Sequence, residues 1–282
     1  EGSFTFAAAE NVLANADPQQ LFSNSNIIDT VTSLTEKGLL RAERSADGEM
    51  RFRMLVVVRD YALETLAGQP VLAAASRSHA EYYTDFAQSS LPQLYSSEAP
   101  LWLNRFELEM DNLRAAVRWS LENELPMAAS LVAALRHLAG LRLHTTETRQ
   151  WLEQILSCRE EIPPELCREM LTGLGIIAQY HRDSKMGRQA HEESLQMSRR
   201  LSEKKLIARD LRGIAAVDYL DLDLRAARVR LSEALEISRS IGDEFGEAAA
   251  LARLGDVCNA ERDYTQARVH ITEALDIFKR LG

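Results

Sequence analysis

Along the second half of the chain, apolar and small residues return at a constant spacing of 40 positions, as between the near-duplicate segments EALEISRSIG (233–242) and EALDIFKRLG (273–282). Leu171, Leu211 and Leu251 fall into register, as do Leu174, Ile214 and Leu254. Leu195, Leu235 and Leu275 follow, then Leu201, Ile241 and Leu281. Small residues keep the same step: Gly175, Ala215 and Gly255; Gly187, Ala227 and Ala267; Ser194, Ala234 and Ala274. A fixed period of this length is the signature of a solenoid of stacked supersecondary units.

Each unit reads as two helices. In the middle unit they run over 206–220 and 224–241, and Val229, Leu231, Leu235, Ile237 and Ile241 share one broad helical face. Asp221 and Asp223 mark the break between the two, and Glu261-Arg262-Asp263 marks it in the last unit. Gly242 and Gly282 stand where a helix end favours a left-handed residue. Glycine inside a helix costs about 1 kcal/mol relative to alanine, so Gly175 and Gly255 need a packing reason. The expected reason is a close approach of small residues on paired helices.

Upstream the pattern changes. RSHAEYYTDFAQ (77–88), EMDNLRAAVRWSLEN (109–123) and RQWLEQIL (149–156) read as helices without a clean period, and Pro163-Pro164 breaks the chain before the next. Over 1–66, helices at 6–14 and 26–38 precede two short extended runs around Ala46-Asp47-Gly48, a hairpin turn signal, and then a helix in VRDYALETLA. The expected fold is therefore mainly α: a winged-helix-like domain over 1–68, degenerate helical repeats over 69–165, and three helix pairs over 166–282.

Two resemblances follow. With Leu at the fourth place and small residues at the eighth, twentieth and twenty-seventh, the repeat resembles the tetratricopeptide repeat, lengthened from 34 residues. At its eleventh place, usually aromatic, stand Ala178, Asp218 and Cys258. SFTFAAAENVL, IIDTVTSLTEKGLLR and RFRMLVVVRDYALETLA, followed by SHAEYYTDFA and EMDNLRAAVRWSLE, resemble the winged-helix and repeat portion of STAND-class signalling ATPases, specifically AfsR/LuxR-like bacterial transcriptional regulators. The resemblance implies a switch built from a nucleotide-binding module, a winged helix that helps hold it shut, and a repeat sensor that receives an inducer. No GxxxxGK[ST] motif occurs in the chain, and Met54-Leu55-Val56 stands where many relatives carry a Met-His-Asp triplet whose histidine reaches the nucleotide. The first residue is Glu1, which is read as the start of a piece of a longer polypeptide.

Composition narrows the possibilities. A net charge of −9, with six Lys/Arg against ten Asp/Glu over 1–66, lacks the basic imprint of a nucleic-acid binder. No apolar run is long enough to span a bilayer. Cys158, Cys167 and Cys258 lack CxxC spacing and read as buried, reduced thiols, consistent with a cytoplasmic setting. The six histidines form no metal motif, and no catalytic arrangement, cofactor or metal is expected in the chain.

Candidate site residues come from repeat geometry. The first helix of each pair lines the groove of such arrays, and its open face carries Gln179, Tyr180, Arg209, Arg212, Tyr219, Asp256 and Asn259, with Arg136 added from upstream. Arginine and tyrosine there suit a protein or peptide partner or a small inducer. The expectation is a non-catalytic sensor fragment of a transcriptional regulator that is coupled to an upstream nucleotide switch. The alternatives are a DNA-binding winged-helix protein, or an ATP/ADP switch in the intact protein.

Overall fold

The computed structural model describes residues 2–16, 24–45, 48–142 and 144–281, and those residues form two compact units divided between Ala134 and Leu135. The division falls inside a helix, whereas the sequence pattern draws its lines at 68/69 and 165/166.

The first unit opens with β1 (Phe4–Thr5), α1 (Phe6–Ala16) and α2 (Asn24–Glu36), then β2 (Leu40–Arg44), β3 (Met50–Met54) and α3 (Val56–Leu66). The three strands form an antiparallel sheet in the order β1-β3-β2, with Phe4 opposite Phe52 and Leu40 opposite Met54. The expected hairpin is present: Ser45 N–H donates to Glu49 O at 2.9 Å, and Gly48 has φ +88°. Ala46 and Asp47 themselves lie outside the described residues. Ile27, Val31 and Leu40 make the buried centre of this part, with Phe4, Phe6, Leu13 and Phe52 packed around them.

Two long helices follow, α4 (Pro70–Ser89) and α5 (Ala99–Asn123), both longer than their sequence signals. Buried Glu109 of α5 joins them to the sheet. Its carboxylate meets Arg51 of β3 at 2.7 Å and accepts from Tyr83 Oη at 2.9 Å and Asn112 Nδ2 at 2.7 Å. Arg51 and Asn112 also donate to Ser3 O, at 2.9 and 2.8 Å. Burial first, and then the neighbouring Glu109 charge, drive the Tyr83 phenol well above its ordinary range.

The next helix, α6 (Leu125–Arg142), carries the boundary between the units and has no counterpart in the sequence reading. Ala128, Ala129, Leu131, Val132, Ala134, Leu135 and Leu138 are all buried, and apolar residues spread over much of the helix leave only a weak helical period in the sequence.

The second unit continues with α7 (Thr145–Ser157) and the three pairs: α8 (Pro164–Tyr180) with α9 (Ser184–Arg200), α10 (Lys204–Leu220) with α11 (Leu224–Ser240), and α12 (Glu244–Ala260) with α13 (Tyr264–Leu281). Within each pair the turn is made the same way. Arg182, Leu222 and Arg262 take left-handed φ of 54°, 63° and 66°. Asp183, Asp223 and Asp263, one residue on, each accept from a backbone N–H three positions ahead, at 2.9–3.1 Å, which caps the second helix. Between pairs, Gly242 takes φ 67° as expected, and Ser202 does the same job at φ 57°. Gly282 lies outside the described residues.

Part of the apolar register is buried where the helices meet: Leu171, Leu211, Leu251, Ile214, Leu254, Ala234 and Ala274 are inside, whereas Leu201, Leu275 and Leu281 are exposed. Three expectations are corrected. Val229 is 62% exposed and Ile241 38% exposed, so the buried stripe of α11 is narrower than the sequence suggests. Cys158 is exposed, while Cys167 and Cys258 are buried as free thiols. The room left by Gly175 and Gly255 is filled chiefly by large side chains. A Cβ on Gly175 would stand 2.5 Å from the His191 ring, and one on Gly255 would stand 2.5 Å from Ile271. The small-on-small contact survives beside them, where Gly187 approaches Ala178 and the Gly175 carbonyl.

Charges obey the same period as the apolar residues. Arg159 pairs with Glu193, Arg199 with Glu233 at 3.8 Å, and Arg239 with Glu273 at 2.7 Å, each step 40 residues on. A second series joins Arg188 of α9 to Asp218 of α10 (2.8 Å) and to Asp221 just past its end (3.0 Å), and Arg228 of α11 to Cys258 Sγ of α12 (3.5 Å) and to Glu261 just past its end. In the second and third units the eleventh place, Asp218 and Cys258, thus holds a polar anchor for the preceding helix, while the first unit has Ala178 there. Asp218, 1% exposed, also pairs with Arg230.

Candidate functional site: a cationic cavity across three helices

Successive first helices of the pairs, α8, α10 and α12, border a cavity of about 510 Å³. Of the eight candidate residues, Gln179, Tyr180, Arg209, Arg212 and Tyr219 line it together. Its apolar wall is Ile176, Ala216, Leu220 and Ala249. Arg253 stands on the far side and pairs at 3.6 Å with Asp256, which is outside the cavity lining, in a small recess beside Tyr219. Asn259 is exposed and does not line the cavity.

Arg136 is not brought into the cavity either. It reaches Glu169 at 2.5 Å, and Glu169 also receives Arg168 at 2.7 Å and Arg209 at 3.3 Å. Burial pushes the Glu169 carboxyl up, but the three guanidiniums outweigh it and hold the group below the ordinary carboxylate range. Arg209 therefore has two roles in the geometry, as a wall of the cavity and as a partner of Glu169 and of Thr172 Oγ1 (3.1 Å).

Arg212 is different. It is half-buried, and its one polar contact among the described residues is a long 3.5 Å donation to Gly246 O. Burial draws its guanidinium pKa down, opposed by the more distant Asp243. A desolvated guanidinium with no carboxylate in contact is costly unless something else supplies the counter-charge.

His191 was missed by the sequence reading because it belongs to α9, a second helix. Its ring is 1% exposed and passes between Gly175 of α8 and Gly213 of α10, both of which would collide with it if they carried a Cβ. It lines the cavity, with Nε2 3.3 Å from Gln179 Nε2 and Nδ1 without a hydrogen-bond partner among the described residues. Burial, with a smaller push from Arg209, lowers its pKa to about 4, so the imidazole is neutral near pH 7. The signal available in sequence was the period itself: His191, Leu231 and Ile271 share a register, and the histidine stands opposite two helix-interior glycines. Among the described residues no His/Cys/Asp/Glu group has metal-binding geometry, and no helix is long and apolar enough to cross a membrane.

No family model matches the chain. It is 35% identical over 156 residues to "Putative HTH-type transcriptional regulator Rv0890c" of Mycobacterium tuberculosis, and equally to its counterpart in Mycobacterium bovis. The match takes in 55% of this chain and 17% of each relative. Part of the chain is thus related to transcriptional regulators, and the matched stretch is under a fifth of their length. Among solved structures, BtubC (BKLC) from P. vanneervenii superposes with TM-score 0.54 at 18% identity, covering 74% of this chain and 90% of its own, so the two share a fold. A STAND protein with a tetratricopeptide repeat sensor from Pyrococcus horikoshii aligns over 99% of this chain and 42% of its own, with TM-score 0.49 and 14% identity.

Proposed function

We propose that the chain is the sensor portion of a cytoplasmic transcriptional regulator, non-catalytic and without a cofactor of its own. Its helix pairs hold a protein, peptide or small inducer and pass that occupancy to a nucleotide-driven switch elsewhere in the longer protein. The observation that carries the reading is the cavity, to which Tyr180, Arg209, Arg212 and Tyr219 from two successive units contribute on one side of the array. The sequence relation to HTH-type regulators supplies the regulatory context, and the order of winged-helix-like and repeat segments supplies the resemblance to STAND-class switches.

Affinity capture tests the reading. The 282-residue chain and its Arg212→Glu variant serve as baits in an extract of the source cell, with bound proteins and small molecules identified by mass spectrometry. Arg212 is preferred to Arg209 for the substitution, because Arg209 also holds Glu169. The expected result is a species retained by the wild type and lost by the variant while helical circular dichroism stays the same. Identical retention by both baits would remove the cavity from the account.

A further inference from the structure

The chain carries 42 acidic residues against 33 Lys and Arg, yet the cavity across α8, α10 and α12 is lined by three arginines and by no Asp or Glu. Arg209 is partly satisfied by Glu169, and Arg253 by Asp256, whereas Arg212 meets no carboxylate within ion-pair distance among the described residues. At the base, the 1% exposed His191 keeps Nδ1 buried with no hydrogen-bond partner among the described residues. A half-buried guanidinium without a carboxylate partner calls for a counter-charge, and the cavity is where one can reach Arg212.

We infer that this cavity binds a small amphipathic anion, a carboxylate or phosphate ester with an aromatic or aliphatic body. The oxyanion sits on Arg212, flanked by Arg209 and Arg253, and the body packs on Ile176, Tyr180 and Tyr219. The inference rests on the sensor reading above and names the class of inducer. A volume of about 510 Å³ lies in the range of small-ligand sites. The planar guanidinium fork matches an oxyanion with two parallel hydrogen bonds, and low exposure strengthens them. An extended peptide is disfavoured by the same lining: successive backbone N–H groups need acceptors, and the cavity offers no carboxylate and one carboxamide, Gln179.

The test is a ligand-detected NMR titration of the intact 282-residue chain with 3-phenylpropionate, phenyl phosphate and the uncharged 3-phenylpropanamide at millimolar concentration. At least one anion is expected to bind about tenfold or more tightly than the amide, and Arg212→Gln is expected to weaken it by about tenfold while Arg212→Lys retains part of the affinity. Preference for phenyl phosphate identifies a phosphate ester, and preference for phenylpropionate identifies a carboxylic acid. Should Arg212→Gln misfold, Arg253→Gln on the rim provides the same comparison. Equal binding of the amide, indifference to these substitutions, or no binding by any of the three overturns the inference. If extract capture through Arg212 then yields a protein, the sensor reading stands and the small-anion class falls. If the anions bind through Arg212 while capture yields nothing, the anion site stands and the sensor reading loses its support.

Discussion

His191 and its two glycines show how one position sets its neighbours. Adding a methyl at Gly175 or Gly213 drives a Cβ into a ring held from both sides. Gly175→Ala is therefore expected to destabilise the chain by about 1–3 kcal/mol. His191→Ala in the same chain should make the combined loss smaller than the sum of the single losses, measured by urea unfolding. The ring also predicts a pH dependence. His191 and His137 are each lowered to about 4, mainly by burial, so between about pH 6.5 and 4 the unfolded chain binds protons that the folded chain refuses. Stability is then full above that window and falls as pH drops through it, by up to about 1.4 kcal/mol per pH unit for each histidine. His191→Gln should flatten the slope. Asp210 opposes the trend at the acid end: burial raises its carboxyl, under hydroxyls from Ser194 (3.0 Å) and Ser198 (2.7 Å), so it protonates in the folded state first.

At the scale of the element, turn and cap are the repeated unit of design. Leu222 takes φ 63° with its side chain 80% exposed, so it gains little from burial while bearing left-handed strain. Leu222→Gly should raise stability by a few tenths to about 1 kcal/mol in thermal unfolding, and Asp223→Ala should lower it by about 1 kcal/mol by uncapping α11. The helices, their breaks and Asp223 were legible in the sequence because each follows from a local rule. The left-handed turns at Arg182, Leu222 and Arg262 were not, since nothing local marks those residues for such a conformation; only their common spacing does. α6 was illegible for the opposite reason, because burial on several sides erases the period. In the cavity, Gln179, Tyr180, Arg209, Arg212 and Tyr219 came from the open face of the first helices. Arg253 and His191 lay off that face and reach the cavity only through packing.

For the whole molecule, nearest-neighbour stacking limits how far damage travels. Enlarging Gly255 to Leu meets Ile271 and should cost about 1–3 kcal/mol or more. Its mark on amide hydrogen exchange is expected in α12 and α13, with α4 and α5 in the other compact unit protected as before. Loss of protection throughout would mean that the array unfolds as a single cooperative block.

The link from Ser3 through Arg51 and Asn112 to Glu109 spans more than a third of the chain in sequence. Anyone trimming the protein for crystallisation would be tempted to start at Phe4, where the first strand begins. That cut would strip the carbonyl against which a guanidinium and a carboxamide are aligned, and would leave the interior acid of α5 with loosened donors. Ser3 is a keystone, and shorter versions should be designed to keep it.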